Sequence, residues 1–214
     1  YAAMVSYWDE QIGGLISKLK KLGLYENTLI IFTSDNGPTF NGGSDSPFFD
    51  SAKPFKCEAG WGKASLREGG IRVPMIACWP GHIEAGTKSD LLSAFWDMMP
   101  TMCEIAGVEC PPTDGISMLP TMLGETGQQQ THDFLYWEYP ESGGQKALRM
   151  GHWKAFVKDV LKGNREIELY DLSTDPREQQ NVAAEHPEIV EKVLTIFRTE
   201  HTDSDIKKFQ LPVW

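Results

Sequence analysis

The sequence predicts an α/β protein: a mostly parallel sheet with helices on both faces comes first, and a smaller antiparallel sheet with a packing helix follows. Three patterns predict this class. Apolar residues at helical spacing over 1–22 lead into a short, continuously apolar run at 28–33, which is typical of a parallel strand covered on both faces. Beyond residue 133, short strand-like runs alternate with glycine-containing turns. An amphipathic segment at 186–200 predicts the packing helix.

The first helix is predicted from apolar residues at helical spacing, among them Trp8, Ile12 and Leu19. Lysines near its end suit the negative end of the helix dipole, and Gly23 supplies its stop. The chain opens within this pattern, without a starting methionine or a leader. We therefore expect the sequence to be part of a longer protein.

The middle of the chain predicts a long loop, a second strand and a second helix. Residues 37–62 are rich in Gly, Pro, Ser and aromatic residues, and a loop of this length is usually functional. The apolar run at 73–79 predicts a strand, with Pro74 placing it at a strand start rather than at a central ladder position. Residues 89–106 predict a helix that Pro100 kinks or splits.

The last part of the chain predicts an antiparallel meander followed by a helix. Pro187 suits the first turn of that helix, which we place at 186–200. We predict a domain boundary near residue 130, with 1–130 forming part of an α/β domain and 131–214 a small α+β subdomain. The strands of the meander are predicted at 134–139, 147–150, 153–158 and 167–172.

Composition limits the classes of function. The net charge is −10, from 20 Lys and Arg against 30 Asp and Glu, which argues against a general binder of nucleic acid or anionic membranes. An anionic ligand would therefore need local cations or a metal. No stretch is long and apolar enough to span a bilayer. The four cysteines, Cys57, Cys78, Cys103 and Cys110, lack C-x-x-C spacing and leave the compartment open. Cys103 and Cys110 could pair, but a buried free thiol is an equal alternative for each.

The clearest candidate site is Asp35-Asn36, directly after the first predicted strand. Ligands of parallel α/β sheets bind beyond the carboxyl ends of the strands. Carboxylate and carboxamide oxygens are the donors that Ca²⁺ and Mg²⁺ prefer. Ser-Asp-Asn-Gly is also a favourable turn sequence, so a purely structural turn is an equal alternative.

A second candidate is Lys63, in a segment that also contains Arg67, Glu68 and Arg72. Lysine is a compact charge suited to an anionic oxygen, and arginine offers a planar fork for an oxyanion. The alternative is a structural ion pair between Glu68 and Arg72, with Lys63 as a solvated surface charge.

Four blocks in this order resemble successive motifs of the type I sulfatases of the alkaline-phosphatase superfamily: FTSDNGP, GKASLREGGIRVPMIACWPGHI, FWDMMPTMCEIAG and ELYDLSTDPREQQNVA. The resemblance covers residues 1 to about 200. It implies an alkaline-phosphatase-like fold and hydrolysis of an aryl or carbohydrate sulfate, using one Ca²⁺ and a formylglycine made from Cys or Ser. It also implies that Asp35 and Asn36 are calcium ligands and that Lys63 is a catalytic residue that binds the sulfate. Glu68 to Arg72 would shape the loop.

The sequence lacks the Cys/Ser-x-Pro-x-Arg motif of the sulfatase nucleophile, so the resemblance covers only the C-terminal half of the family. We expect the chain alone to be inactive and to bind Ca²⁺ weakly. The alternatives are a phosphodiesterase or phosphonate monoester hydrolase of the same superfamily, or a non-catalytic binding protein. The family resemblance implies an exported, periplasmic or lysosomal location.

Other candidates are weaker. His82 follows a strand in a turn and suits a surface position, and the remaining histidines show no ligand spacing. The aromatic residues at 137–139 could select a sugar, but alternating aromatics on a strand are more often core. The loop at 40–61, with Phe48, Phe49, Phe55, Lys56 and Trp61, is the better place for specificity.

Overall fold

The computed structural model of the chain describes residues 1–39 and 43–214, so Phe40, Asn41 and Gly42 of the predicted specificity loop lie outside the described residues. The helices in the described residues are α1 (Ala2–Lys21), α2 (Ser46–Phe49), α3 (Glu68–Ile71), α4 (Met98–Ala106), α5 (Leu119–Met122) and α6 (Pro187–Thr199). The strands are β1 (Ile30–Thr33), β2 (Met75–Cys78), β3 (Leu135–Tyr139), β4 (Gln145–Met150), β5 (Trp153–Val157) and β6 (Glu168–Asp171). The predicted α/β class is confirmed.

The described chain divides into two compact units. The first contains Tyr1–Thr33 and Pro74–His132, and the second contains Ser34–Val73 and Asp133–Trp214. The predicted domain boundary near residue 130 stays a prediction. The long loop and the segment after it group with the C-terminal sheet, although sequence order places them inside the first unit.

In the first unit, β1 and β2 pair antiparallel, which corrects the expectation of a parallel strand at 28–33. Ile30 lies opposite Cys78 and Thr33 lies opposite Met75, so the chain leaves β1 and returns beside it in the opposite direction. The expected burial on both faces is also wrong here, because every residue of β1 is half-buried and Ile76 of β2 is 61% exposed. The apolar run correctly predicted a strand. The direction in which β2 pairs with β1 depends on the path of the chain between them, which the run does not indicate.

Two helices of the first unit were predicted, one of them with a different start, and the short α5 was not predicted. α1 matches its prediction, and Trp8 on this helix lies 5.2 Å from Phe32 between ring centroids. The predicted helix at 89–106 begins only at Met98. Asp97 precedes it and accepts a hydrogen bond from the Ala94 backbone N–H over 2.7 Å. Pro100 falls in the first turn, where a missing N–H costs no helical hydrogen bond, so it does not break the helix.

In the second unit, the four predicted strands form one antiparallel sheet in the order β3-β4-β5-β6. Neighbours in sequence are neighbours in the sheet, as expected for an antiparallel meander. Register pairs Trp137 with Ala147 and Ala147 with Phe156. The prediction of this sheet and of α6 is confirmed to within two residues at most boundaries.

Successive side chains of these strands point to opposite sides of the sheet, and residues on both sides are buried. On one face, Leu148, Val157 and Leu169 pack with Val193 and Phe197 of α6. On the other face, Ala147 and Phe156 pack with Leu66, a residue just ahead of α3. The sheet therefore anchors the segment that contains Lys63 through its second face.

Among the helices of the described residues, none combines the length and the apolar character needed to cross a bilayer.

Candidate active site

The predicted metal pair, Asp35 and Asn36, follows β1 in a hydrogen-bonded turn. The Ser34 hydroxyl donates to the Asn36 carbonyl oxygen over 2.8 Å, and Asn36 Nδ2 donates to the Gly37 carbonyl oxygen over 2.8 Å. Asp35 is exposed and Asn36 is half-buried. Within residues 1–39 and 43–214, neither the Asp35 carboxylate nor Asn36 Oδ1 takes part in a hydrogen bond or an ion pair. The turn thus presents two oxygen donors side by side.

The chemistry of this pair fits a hard cation such as Ca²⁺, which prefers carboxylate and carboxamide oxygens. A calcium shell takes six to eight oxygens, so two side chains provide only part of it. In the described part of the chain, no three His, Cys, Asp or Glu side chains come together as a metal-binding group. Any cation held by Asp35 and Asn36 would therefore need further ligands.

The backbone of this turn packs directly against the backbone of the segment around Lys63. The Gly37 N–H donates to the Gly70 carbonyl oxygen over 2.8 Å, and the Lys63 N–H donates to the Pro38 carbonyl oxygen over 3.0 Å. A Cβ atom on Gly37 would lie 1.7 Å from the Gly69 carbonyl oxygen. Glycine is required there because only its missing side chain permits this approach. The structure therefore places both parts of the predicted site on one scaffold.

The Lys63 side chain is exposed. In the part of the chain that the structure describes, its ammonium has neither an ion-pair partner nor a hydrogen-bond partner. A cation left without a counter-charge is available to an anionic ligand, and its backbone is fixed by the contact with Pro38.

Lys63 lines a cleft of about 600 Å³ within the second unit. Its wall also includes Trp61, Arg67, Gln145 and Lys158. Gln145 fastens this wall to β4, because its Oε1 accepts from the Leu66 N–H over 2.9 Å and its Nε2 donates to the Ala64 carbonyl oxygen over 3.1 Å. The cleft falls within the range of roughly 300–1,000 Å³ that holds small-molecule ligands.

Arg67 forms a neutralised part of the cleft wall. Its guanidinium lies 4.0 Å from the Trp61 ring centroid and 4.2 Å from that of Phe156. It also pairs with the Glu168 carboxylate and donates to the Tyr170 hydroxyl over 3.2 Å. Burial would lower the pKa of Arg67, but the hydrogen bonds with Tyr170 and Glu168 outweigh it and raise that pKa. Burial and the hydrogen bond to Glu168 raise the pKa of Tyr170 to about 12.

Glu68 begins α3 and is buried in a cluster of charged side chains. Its Oε1 lies 3.0 Å from Lys154 Nζ, and its Oε2 lies 3.2 Å from an Arg149 nitrogen and 3.3 Å from an Arg72 nitrogen. Burial opposes ionisation, but Lys154 and Arg149 outweigh it and lower the pKa of Glu68. Glu178 accepts the Glu68 N–H over 2.9 Å, and burial raises the pKa of Glu178. The cluster joins the Lys63 segment to β5 and β4.

The weaker sequence candidates occupy structural positions. Trp137 and Tyr139 pack against the core around Leu66 and Phe156, as the core interpretation expects. His82 is exposed and stacks on Trp79 with ring centroids 4.0 Å apart.

His132 was not identified from the sequence as part of any site, and it pairs with a buried carboxylate. Its Nε2 lies 2.8 Å from Asp97 Oδ1, and Asp97 also accepts the backbone N–H groups of Ala94 and Ile116. These contacts hold the start of α4 in place.

Sequence reasoning missed Gln145, Lys154 and Lys158. Lys154 had a detectable signal, since a lysine inside the apolar strand Trp153–Val157 implies a buried partner. Gln145 and Lys158 stand at strand ends, where polar residues are common, so their positions in the cleft carried no signal.

Comparison with known families places the chain near enzymes that act on sulfate groups. The family model described as Sulfatase matches residues 1–108, and the one described as N-sulphoglucosamine sulphohydrolase, C-terminal, matches residues 57–201. Human arylsulfatase A is 34% identical over 211 residues, which cover 86% of this chain and 39% of that protein. Mouse N-acetylgalactosamine-6-sulfatase is 34% identical over 212 residues, covering 95% of this chain and 35% of that protein. The chain thus spans well under half the length of these relatives.

The solved structures similar to this chain include a complex with a sulfated sugar and a phosphonate hydrolase. A protein in complex with its substrate, D-glucosamine-2-N,6-O-disulfate, matches 92% of this chain and 38% of its own with a TM-score of 0.72 at 29% identity. The phosphonate monoester hydrolase of Agrobacterium radiobacter matches 93% of this chain and 40% of its own with a TM-score of 0.68 at 25% identity.

Proposed function

This chain belongs to the sulfatase family, and on that basis we propose that it supplies calcium ligands and a sulfate-binding lysine to a sulfuric ester hydrolase. The observation that carries the proposal is the backbone contact that joins Lys63 to the turn of Asp35 and Asn36. Among the described residues, this contact brings a cation without a counter-charge beside two oxygen donors that could hold a metal ion. Each would supply the local positive charge that an acidic protein needs in order to bind an anionic ester.

Each of these residues has a role in the proposed reaction. Attack on the sulfur of a sulfate ester increases the negative charge on its oxygens, and cations fixed beforehand stabilise that charge. Lys63 would contact one of these oxygens through its ammonium. Asp35 and Asn36 Oδ1 would hold the Ca²⁺, which when bound polarises a sulfate oxygen. The backbone hydrogen bond between Lys63 and Pro38 would hold the lysine segment beside the Asp35-Asn36 turn.

The nucleophile of the proposed reaction is a formylglycine, as the resemblance implies. The sequence contains no Cys/Ser-x-Pro-x-Arg motif from which it could be made. We therefore propose that turnover requires a polypeptide spanning the length of the relatives, and that the 214-residue chain alone is inactive.

The substrate we propose is an aryl or carbohydrate sulfate. The names of the mouse relative and of the ligand in the solved complex both describe a sulfated amino sugar. An exported or lysosomal location would suit such substrates.

The proposed sulfatase activity is tested by matched aryl sulfate and aryl phosphate substrates with a polypeptide spanning the length of the relatives. We expect a higher kcat/KM for the sulfate. A preference for phosphate or phosphonate esters would instead support the second candidate, a phosphonate monoester hydrolase, which the Agrobacterium structure favours.

The calcium proposal predicts that Asp35→Asn weakens Ca²⁺ binding at least tenfold, because a carboxylate is replaced by a neutral donor. Calorimetry on the same polypeptide measures this without reference to activity. Asp90→Asn, which changes an exposed carboxylate after β2, is the matched control and should leave affinity unchanged. Equal affinities of the two variants would contradict the assignment of Asp35.

A further inference from the structure

The cleft beside Lys63 contains a second lysine, Lys158, that the proposed reaction does not use. Lys158 is exposed, and its ammonium has no ion-pair or hydrogen-bond partner among residues 1–39 and 43–214. By contrast, the buried lysines of the same sheet are paired: Lys154 lies 3.0 Å from Glu68 and Lys146 lies 2.8 Å from Glu138. Two unpaired cations in one cleft stand out in a chain of net charge −10.

The backbone that carries Lys158 is fixed, although its side chain is free. Lys158 follows β5 directly, and its carbonyl oxygen accepts from Asn164 Nδ2 over 2.8 Å. The next turn is held to the β3–β4 connection, because the Val160 N–H donates to the Gly144 carbonyl oxygen over 3.0 Å. A side chain on such a rigid base loses less entropy on binding than one on a mobile loop.

The other charged groups of the cleft are neutralised. The guanidinium of Arg67 is paired with Glu168. The carboxylate of Asp159, which would repel an anion, lies 2.8 Å from Lys162 Nζ. The unbalanced charge of the cleft is therefore positive and comes from Lys63 and Lys158.

We infer that Lys158 is a specificity-determining residue that binds a second anionic group of the substrate, a sulfate or a carboxylate, while Lys63 contacts the sulfate to be hydrolysed. This inference rests on the proposed function. A cleft of about 600 Å³ has room for a saccharide carrying both groups. The preferred substrate class is accordingly a polyanionic saccharide rather than a singly charged aryl sulfate.

Lys158→Ala tests this inference through the difference between substrates. The probes are glucosamine 6-sulfate, glucosamine 2-N,6-O-disulfate, and a glucuronic-acid-containing disaccharide with one 6-sulfate, assayed with a polypeptide spanning the length of the relatives. We expect KM to rise about tenfold for a doubly charged probe, because one charge-assisted hydrogen bond is lost. We expect kcat to stay unchanged, and KM for glucosamine 6-sulfate to change less than twofold. The two doubly charged probes distinguish a sulfate from a carboxylate as the bound group.

Two further variants separate a local contact from a general charge effect. Lys158→Arg keeps the charge and should retain the preference for doubly charged probes. Lys192→Ala removes an exposed lysine of α6 outside the cleft and should leave KM for every probe unchanged. The inference would be overturned if Lys192→Ala reduced the difference in KM between singly and doubly charged probes as much as Lys158→Ala does.

Calorimetric titration of the same saccharides keeps this test separate from the test of turnover. If the doubly charged probes bind more weakly to Lys158→Ala, the anion contact would be supported. If the same protein hydrolyses no sulfate ester, the sulfatase proposal would be rejected separately. If the protein hydrolyses sulfate esters and Lys158→Ala changes KM equally for singly and doubly charged probes, the contact would be rejected. The proposed function would then remain intact.

Discussion

Lys63→Ala is expected to lower kcat/KM for sulfate esters by about 10²–10³-fold in a polypeptide spanning the length of the relatives. The ammonium of Lys63 is exposed to the cleft, and its backbone is hydrogen-bonded to Pro38 beside the Asp35-Asn36 turn. Alanine removes the charge without disturbing that backbone contact. Because charge increases on the sulfate oxygens in the transition state, the loss should fall mainly on kcat.

Steady-state kinetics with an aryl sulfate measures this effect. Lys192→Ala removes an exposed lysine of α6 and should keep wild-type kinetics. Lys63→Arg restores the charge with a larger, planar group and should recover only part of the rate. Wild-type turnover in Lys63→Ala would contradict the proposed catalytic role of Lys63.

Glu68→Gln is expected to lower the free energy of unfolding by about 3–5 kcal/mol, since it leaves a buried cation without its counter-charge. The Glu68 side chain is 4% exposed, and the Lys154 side chain that faces it is fully buried at 0% exposed. Glutamine has nearly the same shape, so the loss reports charge rather than packing. Because Glu68 begins α3, the segment from Gly62 to Arg72 should loosen from the sheet.

Urea denaturation followed by tryptophan fluorescence measures the change, with an unchanged m-value as the check that the unfolded state is comparable. Glu166→Gln, at an exposed position in the same unit, should change stability by less than about 0.5 kcal/mol. Combining Glu68→Gln with Lys154→Met should recover part of the loss, because the stranded cation is then removed. Full additivity of the two single effects would show that the pair does not interact.

The pH dependence of this effect follows from the lowered pKa of Glu68. A carboxyl whose folded pKa is lowered contributes stability above its ordinary value of 4.5 and loses that contribution as the pH falls through the folded value. The difference in stability between wild type and Glu68→Gln should therefore be largest near neutral pH. It should shrink in acid below pH 4.5.

Most helices and strands were predicted from local patterns, because their formation depends on residues that are near in sequence. Apolar periodicity placed α1 and α6, and the C-terminal sheet followed from short runs between turns. The direction of the pairing between β1 and β2 was predicted wrongly. That direction depends on a loop of about forty residues, and such a loop carries no periodic signal.

The sequence by itself determined the chemistry of the candidate site: two oxygen donors at the end of a strand, and a lysine after a glycine. The tertiary structure alone decided which charges are available to a ligand. Lys154 and Lys158 stand only four positions apart, the first inside β5 and the second directly after it. Glu68 covers Lys154 and neutralises it, whereas Lys158 lies beyond the strand end in the open cleft. Their difference depends on residues far away in the chain, because long-range packing determines which charges are buried with partners and which remain exposed.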